Sequence, residues 1–217
     1  MFDWDGTLID SVAKIIATMA TVTDELDLPR LPRQRVKDII GLALPEAVAR
    51  LFPNQAPSFH GQVVRRYRYH FLREDAPLSP LFPGVLTTLR ELQGANYLLA
   101  VATGKSRRGL ERELDRTGLR GHFIATRCAD ETRSKPDPQM LKEIMAEVAI
   151  EPHETVMVGD SQYDLDMASN AGADAVAVTY GVHDRDRLLA CAPRACFDFI
   201  AELGPWLTGM SQPPREV

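Results

Sequence analysis

Asp3 and Asp5 stand two residues apart in Asp3-Trp4-Asp5-Gly6-Thr7, directly after an apolar start. Three other short polar groups could work with them. Thr103-Gly104-Lys105 follows the apolar run Tyr97–Ala102, and Gly159-Asp160-Ser161 follows Thr155–Val158. Ser134-Lys135-Pro136 lies in a loop before a helix. Ligands of open parallel sheets bind beyond the carboxyl ends of the strands, so groups distant in sequence can face one crevice. Asp3, Asp5 and Asp160 are hard oxygen ligands suited to Mg²⁺, which takes few carboxylates and keeps waters and substrate oxygens. Lys135 can hold Asp3 ionised and neutralise a phosphoryl oxygen. The Thr103 hydroxyl and the Gly104 amide can donate to phosphoryl oxygens, and Gly6 allows a sharp turn. The set balances the charge of a phosphate and contains a carboxylate nucleophile, Asp3. Asp5 can act as general acid toward a leaving oxygen and then as base toward water.

These loops need a sheet to hold them. After Pro83, short apolar runs alternate with amphipathic segments. Strands are expected at 97–102, 122–126, 155–158 and 175–179, with helices at 86–93, 106–117, 138–149, 163–171 and 199–207. Such alternation implies a Rossmann-like α/β core, a parallel sheet with helices on both faces. The stretch from Ser11 to Leu78 breaks it. There Val12, Ile15, Ile16, Met19, Val22 and Leu26 recur at helical spacing, with Asp10 or Ser11 as cap. Further helices are expected at 33–40, from Pro45 to about Phe52, and at 58–72, with Gly41 ending the second. Pro77, Pro80 and Pro83 mark the exit. The division expected is a core of residues 1–10 and 80–217 and a small α-helical insert of 11–79. Only Met1 and Phe2 precede Asp3, where a central strand has about 5 residues. Either the chain lacks its true beginning or the first strand is unusually short.

Bulk properties exclude some classes. The 217 residues carry a net charge of −5 with no basic block, which weighs against nucleic acid. Cys128, Cys191 and Cys196 are odd in number and form no CxxC pair, so free thiols are expected rather than disulfides or a zinc site. No apolar run reaches transmembrane length, and the N-terminus lacks the regions of a signal peptide. A cytoplasmic protein is expected, with no membrane partner and a monomer as default.

The pattern Asp3–Ser11 (DWDGTLIDS) resembles the first motif of the haloacid dehalogenase-like hydrolase superfamily. VATGKS, SKPDP and VGDSQYD resemble its second, third and fourth motifs, in order. The match spans essentially the whole chain. The helical insert resembles the small cap of phosphoglycolate phosphatase-like and β-phosphoglucomutase-like members. The resemblance implies that Asp3 is nucleophile and magnesium ligand, and that Asp5 is acid/base and binds the metal through its backbone carbonyl. It implies that Asp160 ligates Mg²⁺ with Asp164 in support behind it, and that Thr103 and Lys135 hold the phosphoryl group. Dehalogenases of the superfamily lack the second aspartate, so Asp5 disfavours dehalogenation.

Each residue has a plainer reading. Thr103 alone is more often a helix cap, Lys135 a surface lysine, and Asp160 and Asp164 a cap and a first-turn acid. The five histidines show no ligand spacing. The basic aromatic run from Arg65 to His70 reads as one solvated and one packed helix face, and Arg107-Arg108 as helix surface. Arg35, Gly41 and Arg50 lie where family members select substrates. The expected function is Mg²⁺-dependent hydrolysis of a small phosphorylated metabolite, phosphoglycolate by analogy, through an aspartyl-phosphate. The rivals are a phosphomutase, which passes the phosphoryl group to a second hydroxyl, and a non-catalytic phosphometabolite-binding protein.

Overall fold

Phe2 enters the middle of a parallel sheet with only Met1 before it. The computed structural model describes residues 1–73 and 79–210, so the expected exit at Pro77 and Leu78 lies outside the described residues. The order of elements is α1 (Val12–Glu25), α2 (Arg33–Lys37), α3 (Leu44–Leu51), α4 (Pro57–Phe71), α5 (Val85–Gly94) and β1 (Ala100–Thr103). Then come α6 (Arg107–Thr117), β2 (Ala125–Cys128), α7 (Gln139–Val148), β3 (Val156–Gly159) and α8 (Gln162–Ala171). The chain continues through β4 (Asp174–Val178), α9 (Arg185–Leu189), β5 (Ala195–Phe197) and α10 (Leu203–Met210).

β1 pairs in parallel with β2, and β3 with β4 and β4 with β5. Phe2 joins the two groups by bridging Val101 on one side and Val158 on the other. Its amide donates to Ala100 O at 2.9 Å, and the Ala102 amide donates back to Phe2 O at 2.9 Å. The Val158 amide donates to Met1 O at 2.8 Å. The chain builds outward to β2 on one side, then crosses to β3 on the other. The switch in strand order falls between the Phe2 segment and β3, where a crevice opens beyond the carboxyl ends.

Both faces of the sheet are covered. One carries Phe2, Leu89, Val101, Leu110, Val158 and Val176. The other carries Ala100, Ala102, Leu141, Ile144, Met157 and Met167. Each large side chain buried this way contributes roughly 1.5–3 kcal/mol. Helices α1–α4 enclose a cluster of their own, with Met19, Val22, Val48, Val63, Tyr67 and Phe71, joined by Val182 from the sheet side.

Several element bounds differ from expectation for local reasons. α2 stops at Lys37 rather than Ile40, because Tyr163 Oη takes the Asp38 carbonyl at 2.8 Å. β1 begins at Ala100, not Tyr97, because the Tyr97 amide is turned back to Leu92 O. β2 lies at 125–128 rather than 122–126, in register with β1. The end of the chain splits into a 3₁₀ turn, Ile200–Glu202, and α10. α9 and β5 have no counterpart in the sequence reading, since five and three residues are too short for a periodic signal. The three cysteines are free thiols. No helix among the described residues is long and apolar enough to cross a membrane.

Candidate active site

Asp3 leaves the sheet directly after Phe2, its amide donating to Val158 O at 2.9 Å. The following loop is closed by the Leu8 and Ile9 amides on Trp4 O, both at 3.0 Å. Trp4 is fully buried, and its indole N–H donates to Glu113. Gly6 has φ of +86°, and a Cβ there would stand 2.1 Å from Asp160 Oδ2. Only glycine satisfies both the left-handed backbone and that close approach.

Two lysines organise the crevice. Lys135 is fully buried, with Nζ 2.8 Å from Asp3 Oδ1 and 2.6 Å from Asp164 Oδ1. Asp164 Oδ2 accepts from the Ser161 amide at 3.1 Å and hydroxyl at 2.6 Å. Both Asp164 oxygens are thus engaged, in holding Lys135 and in capping α8. Asp160 accepts from Thr7 Oγ1 at 2.7 Å and from the Val182 amide at 2.8 Å. Carboxylate oxygens of Asp3, Asp160 and Asp164 lie within 4.8 Å of one another, all buried.

Three carboxylates here face one ammonium, so full ionisation would bury an excess of two negative charges. Burial, then the charges of Asp164 and Asp160, push the Asp3 carboxyl well above the carboxylate range despite Lys135. Burial and the neighbouring Asp164 push Asp160 up to about 7. Burial disfavours the Lys135 ammonium, but Asp164 and Asp3 outweigh it and raise its pKa. Asp3 Oδ2 is buried without a hydrogen-bond partner among the described residues. An unpartnered carboxylate oxygen in an over-negative, oxygen-rich pocket is what a hard divalent cation requires, so the residues fit Mg²⁺.

Lys105 forms the second cluster. Its Nζ lies 3.0 Å from Asp5 Oδ1 and 3.2 Å from Glu113 Oε1, and 4.6 Å from the centroid of the Phe71 ring. Burial works against this ammonium too, and Asp5 and Glu113 overcome it and raise its pKa. Asp5 Oδ1 also accepts from the Ser11 hydroxyl. Ser11 occupies the N-cap position of α1 but makes no side-chain cap bond, because its hydroxyl is spent on Asp5.

Asp3, Lys135, Asp160 and Asp164 are therefore gathered in one cluster, and Asp5 is held in another beside it. Thr103 is buried at the end of β1, where its Oγ1 accepts from the Lys105 amide at 3.2 Å. The cap of α6 is Ser106, which accepts from Gly109 N. A Cβ on Gly104 would meet the carbonyls of Gly41 and Leu42 at 2.6 Å, so this glycine lets the helical insert press onto the Thr103 loop. The Ala43 amide adds a second link, donating to Ser134 Oγ at 2.9 Å. Arg35 binds the Leu51 carbonyl and Arg50 binds Glu46 and Tyr163, while Gly41 lines the cavity described next. Arg107 is no free surface residue, since it binds Glu111, Thr126 and Glu131. Lys105, Ser11, Thr7 and Glu113 were not singled out by sequence. Only Lys105 carried a signal, as the residue after Thr103-Gly104.

Between these loops and α1–α4 lies a cavity of about 170 Å³. Asp3, Asp5, Gly104 and Lys105 line one side, and Ile15, Met19, Leu44, Tyr67 and Phe71 line the other.

Residues 1–178 match the family model described as haloacid dehalogenase-like hydrolase. The chain is 34% identical over 207 residues to the probable phosphatase IndB of Dickeya dadantii, covering 94% of this chain and 90% of that one. It is 30% identical over 211 residues to a phosphoglycolate phosphatase of Vibrio vulnificus, covering 93% and 92%. The crystal structure of a predicted phosphoglycolate phosphatase from Haemophilus somnus superposes with a TM-score of 0.86 at 24% identity, over 97% of this chain and 96% of that one.

Proposed function

The chain belongs to the haloacid dehalogenase-like hydrolases as a phosphoric monoester hydrolase, and on that premise we propose that it cleaves a small phosphate monoester through an aspartyl-phosphate on Asp3, with Mg²⁺ as cofactor. The observation that carries this reading is the buried cluster in which Lys135 bridges Asp3 and Asp164 beside Asp160.

Asp3 and Asp160 would hold Mg²⁺, with the Asp5 carbonyl as the resemblance implies. The bound cation would offset the excess negative charge and draw charge from the phosphoryl oxygens. In the first step an Asp3 carboxylate oxygen attacks phosphorus as the bond to the ester oxygen breaks. Asp5 gives its proton to that leaving oxygen. In the second step Asp5 takes a proton from water, whose oxygen attacks phosphorus as the Asp3–phosphorus bond breaks. Inorganic phosphate leaves and Asp3 is restored. Asp5 Oδ1 is held by Ser11 and Lys105, and Oδ2, which takes no hydrogen bond among the described residues, is the oxygen left for proton transfer. Lys135 screens the approach of Asp3 to an anionic phosphate. Thr103 and the Gly104 amide complete the phosphoryl cradle.

Residues 11–79 act in this reading as a cap on the core of 1–10 and 80–217. The cap excludes bulk water and reads the alcohol part of the substrate. Phosphoglycolate, the substrate in the name of the Vibrio relative, is the reference ester for assay. The test is Asp3→Asn, which abolishes hydrolysis of p-nitrophenyl phosphate while circular dichroism and Tm report an intact fold. EDTA stops the wild-type reaction and Mg²⁺ restores it. Near-normal turnover by the variant, or turnover in EDTA, overturns the reading. Release of inorganic phosphate without sugar-phosphate isomerisation separates hydrolysis from mutase activity.

A further inference from the structure

Resting on the phosphatase reading, we propose that the substrate is a phosphate monoester whose alcohol carries an apolar, ring-sized body beside the phosphate and an anionic group at its far end. The size and lining of the cavity over Asp3 and Asp5 argue for the body. It measures about 170 Å³, and its insert-side wall carries Ile15, Met19, Leu44, Tyr67 and Phe71, with Arg68 at its outer edge. A dry cavity of about 150 Å³ lined by Leu, Ile and Phe holds one benzene. The phosphoryl group seated against Asp3 takes part of this space, and a two-carbon alcohol leaves much of the apolar wall uncovered.

Charge argues in the same direction. A carboxylate next to the phosphate needs an unmatched cation, or it is buried unpaired at high cost. The cation beside the catalytic aspartates is Lys105, while Arg68 lines the same cavity at the edge it shares with a second one. The Lys105 charge is already answered by Asp5 and Glu113, and its face lies on the Phe71 ring. A short anionic alcohol such as glycolate therefore meets a cation already matched, and only a longer one reaches Arg68 at the shared edge.

Farther out the chemistry changes. A second cavity of about 550 Å³ shares Arg68, Leu72, Ser106 and Asp130 with the first, so the two adjoin. Arg65 and Arg68 of α4 stand on its insert side, and Arg108 of α6 on its sheet side. The carboxylate among its described lining residues is Asp130, which already accepts from the Arg107 amide at 2.8 Å. Guanidinium groups from both walls suit a carboxylate or second phosphate, which they can hold with paired N–H donors. A ligand spanning both cavities would tie the insert to the core.

Three esters test this with the intact protein and Mg²⁺: 2-phosphoglycolate, benzyl phosphate and 4-carboxybenzyl phosphate. Benzyl phosphate exceeds phosphoglycolate in kcat/KM by at least about tenfold, the scale of a filled against an unfilled apolar site. The carboxybenzyl ester exceeds benzyl phosphate by about tenfold, the scale of one charged hydrogen bond. Arg68→Gln shrinks the second ratio, and Leu44→Gln, at a half-exposed wall position, shrinks the first. Calorimetry on Asp3→Asn gives the same order in Kd without turnover. That order with no turnover of any ester by the wild type supports the pocket assignment and sinks only the hydrolase reading. Phosphoglycolate bound as well as or better than the benzyl esters overturns the assignment, while p-nitrophenyl phosphate hydrolysis would leave the hydrolase reading standing. Failure of all three esters to bind overturns it as well.

Discussion

Lys135 and Lys105 each sit between two carboxylates, yet the two clusters differ in what builds them. Lys135 joins Asp3 to Asp164, and every member comes from a loop at the carboxyl end of the sheet or the first turn of α8. Lys105 joins Asp5 to Glu113 of α6 and lies against Phe71, which belongs to the inserted helices. The first cluster needs only the sheet to exist. The second also depends on where the insert stands. A phosphoryl group has the same shape in every substrate, so its binding site can be made rigid. The leaving group differs between substrates, and the acid that serves it is held where the variable wall meets the constant one.

Removing the ammonium of the rigid cluster has the largest expected effect. Lys135→Met leaves Asp3 and Asp164 buried without a counter-charge, costing about 3–5 kcal/mol of stability. Its kcat falls by about 10²–10³. Denaturation with urea and steady-state hydrolysis of p-nitrophenyl phosphate measure the two losses. If stability is untouched, Lys135 is not the keystone of its cluster.

Lys105→Met strikes the composite cluster and is milder, because Ser11 still holds Asp5. A kcat loss of about tenfold to 10²-fold is expected, at the lower end of general acid–base effects. The concentration of Mg²⁺ giving half-maximal activity stays unchanged, since the cation cluster is intact. A large rise in that concentration would merge the two clusters into one.

Next is the coupling of cation and proton. Asp160 in the folded protein is raised to about 7, above its unfolded value. Its charged form is therefore penalised in the cation-free fold as pH rises from about 4, and fully so only above about 7. Mg²⁺ relieves that penalty. At 100-fold excess over Kd it stabilises by roughly 2.7 kcal/mol, a Tm increase of about 5–10 °C for a chain of this size. The increase is greatest above pH 7 and shrinks as pH falls, because protons then compete with the metal. Scanning fluorimetry across pH, with and without Mg²⁺, checks this; a pH-independent shift contradicts it.

Ser11→Ala is the smallest perturbation. It removes one hydrogen bond to a carboxylate, worth about 1.5–3 kcal/mol at most, and no helix cap, since Ser11 makes none. A severalfold fall in kcat is expected, with a Tm loss of a few degrees that stays below that of Lys135→Met. The reverse pattern would return Ser11 to a capping role.

Much of this was written in the residue order. The alternation of apolar runs with amphipathic segments is local, and it carried the parallel α/β architecture and the helical interruption. Gly6, Lys135 and Asp160 stood in short patterns at strand ends, which tertiary structure then gathered. The two residues before Asp3 looked too few for a strand. Phe2 nevertheless bridges Val101 and Val158, held by a neighbouring strand on each side. Other features had no local signature. The partnership of Lys105 with Glu113, the diversion of Ser11 from capping, the early stop of α2 under Tyr163 and the meeting of two cavities at Arg68 all arise between distant segments. Sequence by itself determined which chemical groups exist and which elements carry them, since periodicity and turn residues act over a few positions. Tertiary structure alone decided which charges are already matched and which space stays apolar, because burial and pairing belong to the packed chain.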